Sequence, residues 1–269
     1  MITSTQNQRI KHLLLLQQKS AQRRADGLFV VEGRREVEHC IEAGYKLRTV
    51  FVCEEINPTS LTWSDRKPPL GEVWWGPDAE VVPVSSNVYK RIAYRGGTEG
   101  IVAVVEARRT SLDDLQLSAS PLIVVLESVE KPGNLGAVLR SADAAGADAV
   151  VVCDPLTDLY NPNLIRSAVG AIFTVPCVAC STEECIAFLK EKGIRILTAQ
   201  LQDSSLYYDT PMTGPTAIVM GTEATGLTDQ WRQVADAHIR IPMLGRLDSL
   251  NVSVSAAILL FEAVRQRQI

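Results

Sequence analysis

From residue 121 onward, short apolar runs of strand length alternate with segments of helix length. The runs are PLIVVLE from 121, DAVVVCD at 148–154, AIFTVPCV at 171–178, IRILTAQ at 194–200, TAIVMG at 216–221 and HIRIP at 238–242. Strands that are apolar throughout, rather than alternating, belong to sheets covered on both faces, and parallel neighbours need a long crossover between them. The pattern therefore predicts an α/β fold built on a six-stranded parallel sheet. Ser181 and Glu184 form an S-x-x-E capping box for one crossover helix, with Gly193 at its C′ position. A last helix is expected from about 250 to 267. In such sheets ligands bind at the carboxyl ends of the strands, so the loops there are where chemistry is to be sought.

Residues 1–107 read differently, as a smaller α/β domain, and the polar stretch RRTSLDDLQLSAS at 108–120 reads as a linker to a second domain at 121–269. Helices are expected over 9–24, over 33–44 and in SNVYKRIAY; strands are expected at 29–32, 47–54, 80–85 and 100–106. Residues 57–79 hold four prolines, two glycines and three of the four tryptophans, which predicts a long loop. Trp63, Trp74 and Trp75 either pack that loop onto its own domain or stack on RNA bases.

Charge separates the two parts. The net charge is −4, yet residues 1–110 carry 16 Lys and Arg against 13 Asp and Glu, while 111–269 carry 11 against 18. Arg9, Lys11, Arg23, Arg24, Arg34 and Arg35 in the opening stretch are candidate RNA-backbone contacts, the alternative being a solvated helix face. No apolar run is long enough to span a bilayer and the N-terminus is too polar for a secretory signal, so a cytoplasmic protein without membrane partners is expected. Six scattered cysteines predict free thiols. Cys177 and Cys180 make a lone C-x-x-C without a second pair, and the chain has three histidines, so no metal site is expected. Sequences for dinucleotide, P-loop, zinc-protease and serine-hydrolase loops are all absent.

Three segments after strands stand out instead. In GNLGAVLRSADAAGA at 133–147, Gly133 and Gly136 permit a tight turn, Asn134 can cap the following helix, and Arg140 lies six residues on. In IVMGTEATGL at 218–227, Gly221 and Gly226 flank Glu223. In IPMLGRLDSLNVSVSAAILLFEA at 241–263, Ser249 and Asn251 mark the start of the last helix, whose first turns are kept thin by Ser253, Ser255, Ala256 and Ala257. A capped helix with an exposed arginine and a small-residue packing face would explain much of this without any ligand.

Together, in this order, the segments resemble the three signature motifs of the SpoU (TrmH-type) RNA ribose 2′-O-methyltransferases of the SPOUT superfamily. FVVEGRREVEHCIEAG and VSSNVYKRIAYRGGTEGIVAVVE resemble that family's accessory substrate-binding domain. The resemblance implies a deep trefoil knot in the C-terminal α/β domain and S-adenosylmethionine as cofactor, held by Gly221, Ile241 and Leu250, with Leu197, Thr198 and Gln200 as further walls. It places Asn134, Arg140, Glu223, Ser249 and Asn251 at catalytic and substrate-positioning positions, and it implies a homodimer. RNA is the implied partner, ribosomal RNA preferred and transfer RNA the runner-up. A SPOUT enzyme that methylates a base nitrogen, and an RNA-binding protein without catalysis, are the rival readings.

Overall fold

The opening basic stretch folds as two helices rather than one. In the computed structural model, which describes residues 1–56, 79–94, 99–222 and 225–268, α1 (Gln8–Gln18) and α2 (Ser20–Asp26) meet at Lys19, whose extended backbone (φ −118°, ψ 111°) interrupts the helix expected over 9–24. Asn7 caps α1 by accepting from the Arg9 backbone N–H. At the other end Arg23 turns back and donates to the carbonyls of Leu16 and Gln17, at 2.6 and 3.3 Å. Those carbonyls belong to the last turn of α1 and have no partner within the helix. Arg23 is only 5% exposed, so it closes a helix end and is not the phosphate-facing residue expected from sequence.

The chain divides into two compact units, Met1–Arg109 with Tyr160–Arg166, and Thr110–Leu159 with Ser167–Ile269. In the first, α1 and α2 are followed by β1 (Leu28–Glu32), α3 (Arg34–Glu42), β2 (Leu47–Val52), β3 (Glu80–Pro83), α4 (Ser86–Ile92) and β4 (Ile101–Glu106). The sheet order is β1-β4-β2-β3, with β4 antiparallel to both neighbours and β3 parallel to β2. Ile10, Leu13 and Leu16 recur at helical spacing on α1 and pack with Val88, Tyr89 and Ile92 of α4 on Val30, Phe51, Val102 and Val104 of the sheet. Residues 57–78, with Trp63, Trp74 and Trp75, lie outside the described residues.

Beyond Thr110 the elements are β5 (Leu122–Glu127), α5 (Pro132–Ala144), β6 (Ala149–Cys153), α6 (Pro162–Ala168), α7 (Ala171–Thr174), β7 (Cys177–Cys180), α8 (Thr182–Glu191), β8 (Arg195–Ala199), β9 (Ser205–Leu206), β10 (Thr216–Met220), α9 (Asp229–Val234), β11 (Ala237–Arg240) and α10 (Val252–Arg267). Seven strands run in the order β7-β6-β5-β10-β8-β11-β9, every pairing parallel. The core holds Ile123, Val125, Val151 and Val219 from the sheet against Phe188, Leu189 and Trp231 from the helices. Leu112, Leu115 and Leu117, from the stretch expected as a linker, pack against this same core.

Two elements differ from the sequence reading. AIFTVPCV is not one strand: Gly170 (φ 92°) starts the short helix α7, which buries Ala171, Ile172 and Phe173. Pro176 then restarts the chain, so only Cys177–Cys180 pairs with β6. A two-residue strand, β9, pairs with β11 at the sheet's edge and is too short to carry a periodic signal. The Ser181–Glu184 capping box forms as expected.

Candidate active site

The carboxyl ends of β8, β10 and β11 converge with the start of α10 on a cavity of about 350 Å³. Its walls are Ala199 to Gln202 at and beyond the end of β8, Met220 to Thr222 and Thr225 to Leu227 around the end of β10, Arg232 of α9, Ile239 to Ile241 and Met243 at and beyond the end of β11, and Asp248 to Leu250, Val252, Ser255 and Leu259 before and within α10. The loop after β10 closes on itself: Gly226 N–H donates to the Thr222 carbonyl at 3.1 Å, and Thr225 N–H donates to Thr222 Oγ1 at 3.0 Å. Gly221 is pressed against the far side of that loop, so a Cβ there would run into the Gly226 carbonyl and the Leu227 N–H. Gly226 itself stands at φ 68°, a conformation that favours glycine. Glu223 lies outside the described residues.

Beside this cavity is a smaller one of about 140 Å³, lined by Ser128 to Lys131 and Asn134 and sharing Gly221, Thr222 and Val252 with the first. Asn251 Nδ2 donates to Asn134 Oδ1 at 3.1 Å, while Asn251 Oδ1 caps α10 by accepting from Ser253 N–H and Oγ at 3.0 and 2.6 Å. One side-chain pair thus ties the amino ends of α5 and α10 together at the mouth of the smaller cavity. Asn251, not Ser249, is the N-cap of α10; exposed Ser249 donates to Asp248 Oδ1 at 3.3 Å. Nor does Asn134 cap α5, which begins at Pro132 after Lys131. Gly136 makes no turn either: it lets α5 pack closely, since a Cβ there would strike Ser167 Oγ and come within 2.8 Å of the Ala168 N–H.

Residues 121–261 match the model of the SpoU rRNA Methylase family, and residues 7–103 match that of an MRM3-like substrate binding domain. The chain belongs to the SpoU rRNA methylase family. It is similar to the 23S rRNA (guanosine(2553)-2'-O)-methyltransferase RlmP of Bacillus subtilis (strain 168), with 27% identity over 97% of each chain. It is also similar to the 23S rRNA (guanosine-2'-O-)-methyltransferase RlmB of Vibrio vulnificus, with 41% identity over 65% of this chain and 73% of the relative. Among solved structures, the AdoMet-bound rRNA methyltransferase from Sinorhizobium meliloti superposes with a TM-score of 0.87 at 30% identity, covering 98% of this chain and 97% of the other.

Of the cofactor residues expected from the SpoU motifs, Gly221, Ile241, Leu250 and Gln200 line the larger cavity. Leu197 and Thr198 do not: both are fully buried within β8, and Thr198 Oγ1 shares a 2.6 Å hydrogen bond with His238 Nδ1. Both lie inside the sheet, so the wall begins only at Ala199, the last residue of the strand. Met220, Leu227, Ile239, Met243 and Leu259 were missed in the sequence; they lie where strands end or α10 begins, but which strand ends converge is a matter of sheet order.

Arg140 is exposed on α5 and lines neither cavity. Six residues beyond Asn134, it stands about 9 Å along the helix and about 240° around it, so one chain does not bring the two side chains together. In the first unit, Arg9 pairs with Glu80 at 2.7 Å, Arg34 with Glu38 at 2.9 Å and Arg35 with Glu36 at 3.5 Å. Lys11 and Arg24 are exposed and make no hydrogen bond or ion pair among the described residues.

Proposed function

We propose that the chain transfers the methyl group of S-adenosylmethionine to a ribose 2′-hydroxyl of ribosomal RNA, with the cofactor in the larger cavity and the target nucleotide entering through the smaller one. The observation that carries this reading is that the second and third motif segments supply most of the larger cavity's wall, while Asn134 of the first lines its neighbour. The fit to the cofactor is chemical as well as spatial. Met220, Leu227, Ile239 and Leu259 offer apolar surface to an adenine, and Gln200 Oε1, buried and without a hydrogen-bond partner among the described residues, offers an acceptor to an amino group. A buried polar atom without a partner is costly, and a ligand that pairs it recovers that cost. The relatives' ribosomal substrates favour ribosomal over transfer RNA.

The bound cofactor supplies a sulfonium methyl; the protein's task is to aim and ionise the hydroxyl. Asn134 and Asn251 position the ribose at the junction of the cavities. Arg140 holds the adjoining phosphate and stabilises the alkoxide as it develops, because a guanidinium with pKa above about 12 serves as a charge and not as a base. The proton leaves to that phosphate or to water. Since Arg140 faces away from its own chain's cavities, it acts on the site of a second copy. Leu250, Val254 and Phe261 on or beside α10 are 36%, 47% and 48% exposed, an apolar stripe at helical spacing that a homodimer would cover.

The trefoil knot goes with this reading through the family match over residues 121–261. No described helix is long and apolar enough to cross a membrane, and the six free thiols suit a cytoplasmic setting.

The deciding experiment is methyl transfer from labelled S-adenosylmethionine to ribosomal RNA, followed by nucleoside digestion and mass spectrometry. A 2′-O-methylnucleoside is expected. A base-methylated product, or no transfer to any RNA by a protein that binds the cofactor, would overturn the reading.

A further inference from the structure

Three thiols converge from three elements at the opposite side of the sheet, and the candidate active site uses none of them. Cys153 ends β6 and Cys180 ends β7, where the two are register partners; Cys185 lies in the first turn of α8. Their Sγ atoms all lie within 4.8 Å of one another, with Cys153 and Cys185 buried and Cys180 half-buried. A tetrahedral zinc ion with sulfurs at about 2.3 Å holds them about 3.8 Å apart, so the trio needs to contract by at most about 1 Å.

The surroundings favour a cation. Asp154 is held beside the trio by accepting from Thr182 Oγ1 at 2.7 Å, and Glu184 by accepting from the Ser181 N–H at 2.8 Å. Both carboxylates place negative charge near Cys180. Hydrogen bonds from Cys153 and Cys185 draw the Cys180 thiol down, against burial. The hydrogen bond with Cys180 pushes Cys153 up. For Cys185, Cys153 has the opposite effect, but Cys180 and burial outweigh it. Simple apolar packing of sulfur explains burial but not three sulfurs facing one another.

We propose that Cys153, Cys180 and Cys185 form a three-thiolate site for one thiophilic d10 cation of the zinc class, with water in the fourth position on the exposed side of Cys180. Each metal–sulfur bond formed at a thiol displaces its proton to the buffer, so uptake releases about two to three protons per ion and moves no electrons. The ion clamps the edge strand β7 to β6 and α8. The lone C-x-x-C pointed away from this, because only one of its cysteines takes part and the partners share no linear signature.

Untagged, reduced, metal-free protein is to be titrated with Co²⁺ as the optical probe and then with Zn²⁺. One equivalent should give a thiolate-to-cobalt charge-transfer band that zinc abolishes. Cys180→Ser should weaken binding about tenfold or more, whereas Cys177→Ser, on the same strand, should not. X-ray absorption of the zinc-loaded protein should show sulfur at about 2.3 Å. A titration without a saturable band, wild-type affinity in Cys180→Ser, or a zinc shell without sulfur would each overturn the proposal. If Cys180→Ser does not fold, the absorption spectrum of the wild-type protein decides.

Discussion

Arginines stand in unlike settings in this chain, and the side chain alone does not say which setting each one occupies. Arg23 spends its donors on the carbonyls at the end of α1; Arg24, its neighbour, is exposed. Arg23→Ala is expected to cost about 1–3 kcal/mol by leaving buried carbonyls unpaired, read as a lowered thermal midpoint. Arg24→Ala and Lys11→Ala should leave that midpoint nearly unchanged but weaken RNA binding, flattening its log-log salt dependence by about 0.9 or less for each phosphate left unneutralised. Arg140→Ala should slow single-turnover methylation at saturating RNA about 100-fold or more, with cofactor affinity little changed; a near-normal rate would make it an ordinary helix residue. The glycines carry a similar lesson. Gly221 was legible through the resemblance as a cofactor contact, but the neighbour that its missing side chain accommodates is the backbone at Gly226 and Leu227. Even Gly221→Ala should therefore disturb that loop, lowering thermal stability together with cofactor binding.

Among the elements, α10 shows what local sequence can and cannot announce. Its length and cap region were readable from the small residues and Asn251, whereas the anchoring of its far end was not. Glu262 accepts from Arg265 Nε and Nη2 at 2.9 and 2.8 Å and from Gln266 Nε2 at 2.8 Å; Gln266 in turn accepts from the Met212 N–H at 2.7 Å. Those hydrogen bonds, Arg265's first, hold the Glu262 carboxyl below its ordinary value of 4.5. A carboxylate whose pKa is depressed by folding stabilises the fold above its unfolded value and loses that contribution as the pH falls through the folded one. Glu262→Gln should accordingly cost about 1 kcal/mol near neutrality. The difference in thermal midpoint from wild type should shrink below pH about 4.5 and nearly vanish under still more acid conditions. The misread strand at 171–178 has an equally local cause: an apolar run of that length suits a buried helical turn as well as a strand, and Gly170 and Pro176 decide between them.

For the molecule as a whole, composition and motifs exposed an α/β sheet with a smaller α/β unit before it, but not the order of the strands, because that order is fixed by pairings between residues far apart in sequence. A dimer formed on the stripe of Leu250, Val254 and Phe261 predicts that Phe261→Asp yields a monomer by light scattering and loses methyl transfer. A dimeric Phe261→Asp protein, or a fully active monomer, would show the stripe serves something else. The strand order also sets a timetable. β5 pairs with β6 on one side and with β10 on the other, so the β7-β6-β5 half of the sheet consists of chain synthesised well before the strands that complete it. All of the larger cavity's wall lies from Ala199 onward, and part of it waits for α10. A nascent chain on the ribosome can thus assemble half a sheet while having nowhere to put a methyl donor. Cofactor binding is then a report that α10 has been made and docked, and chains cut short before α10 should accumulate as inert rather than partly active enzyme.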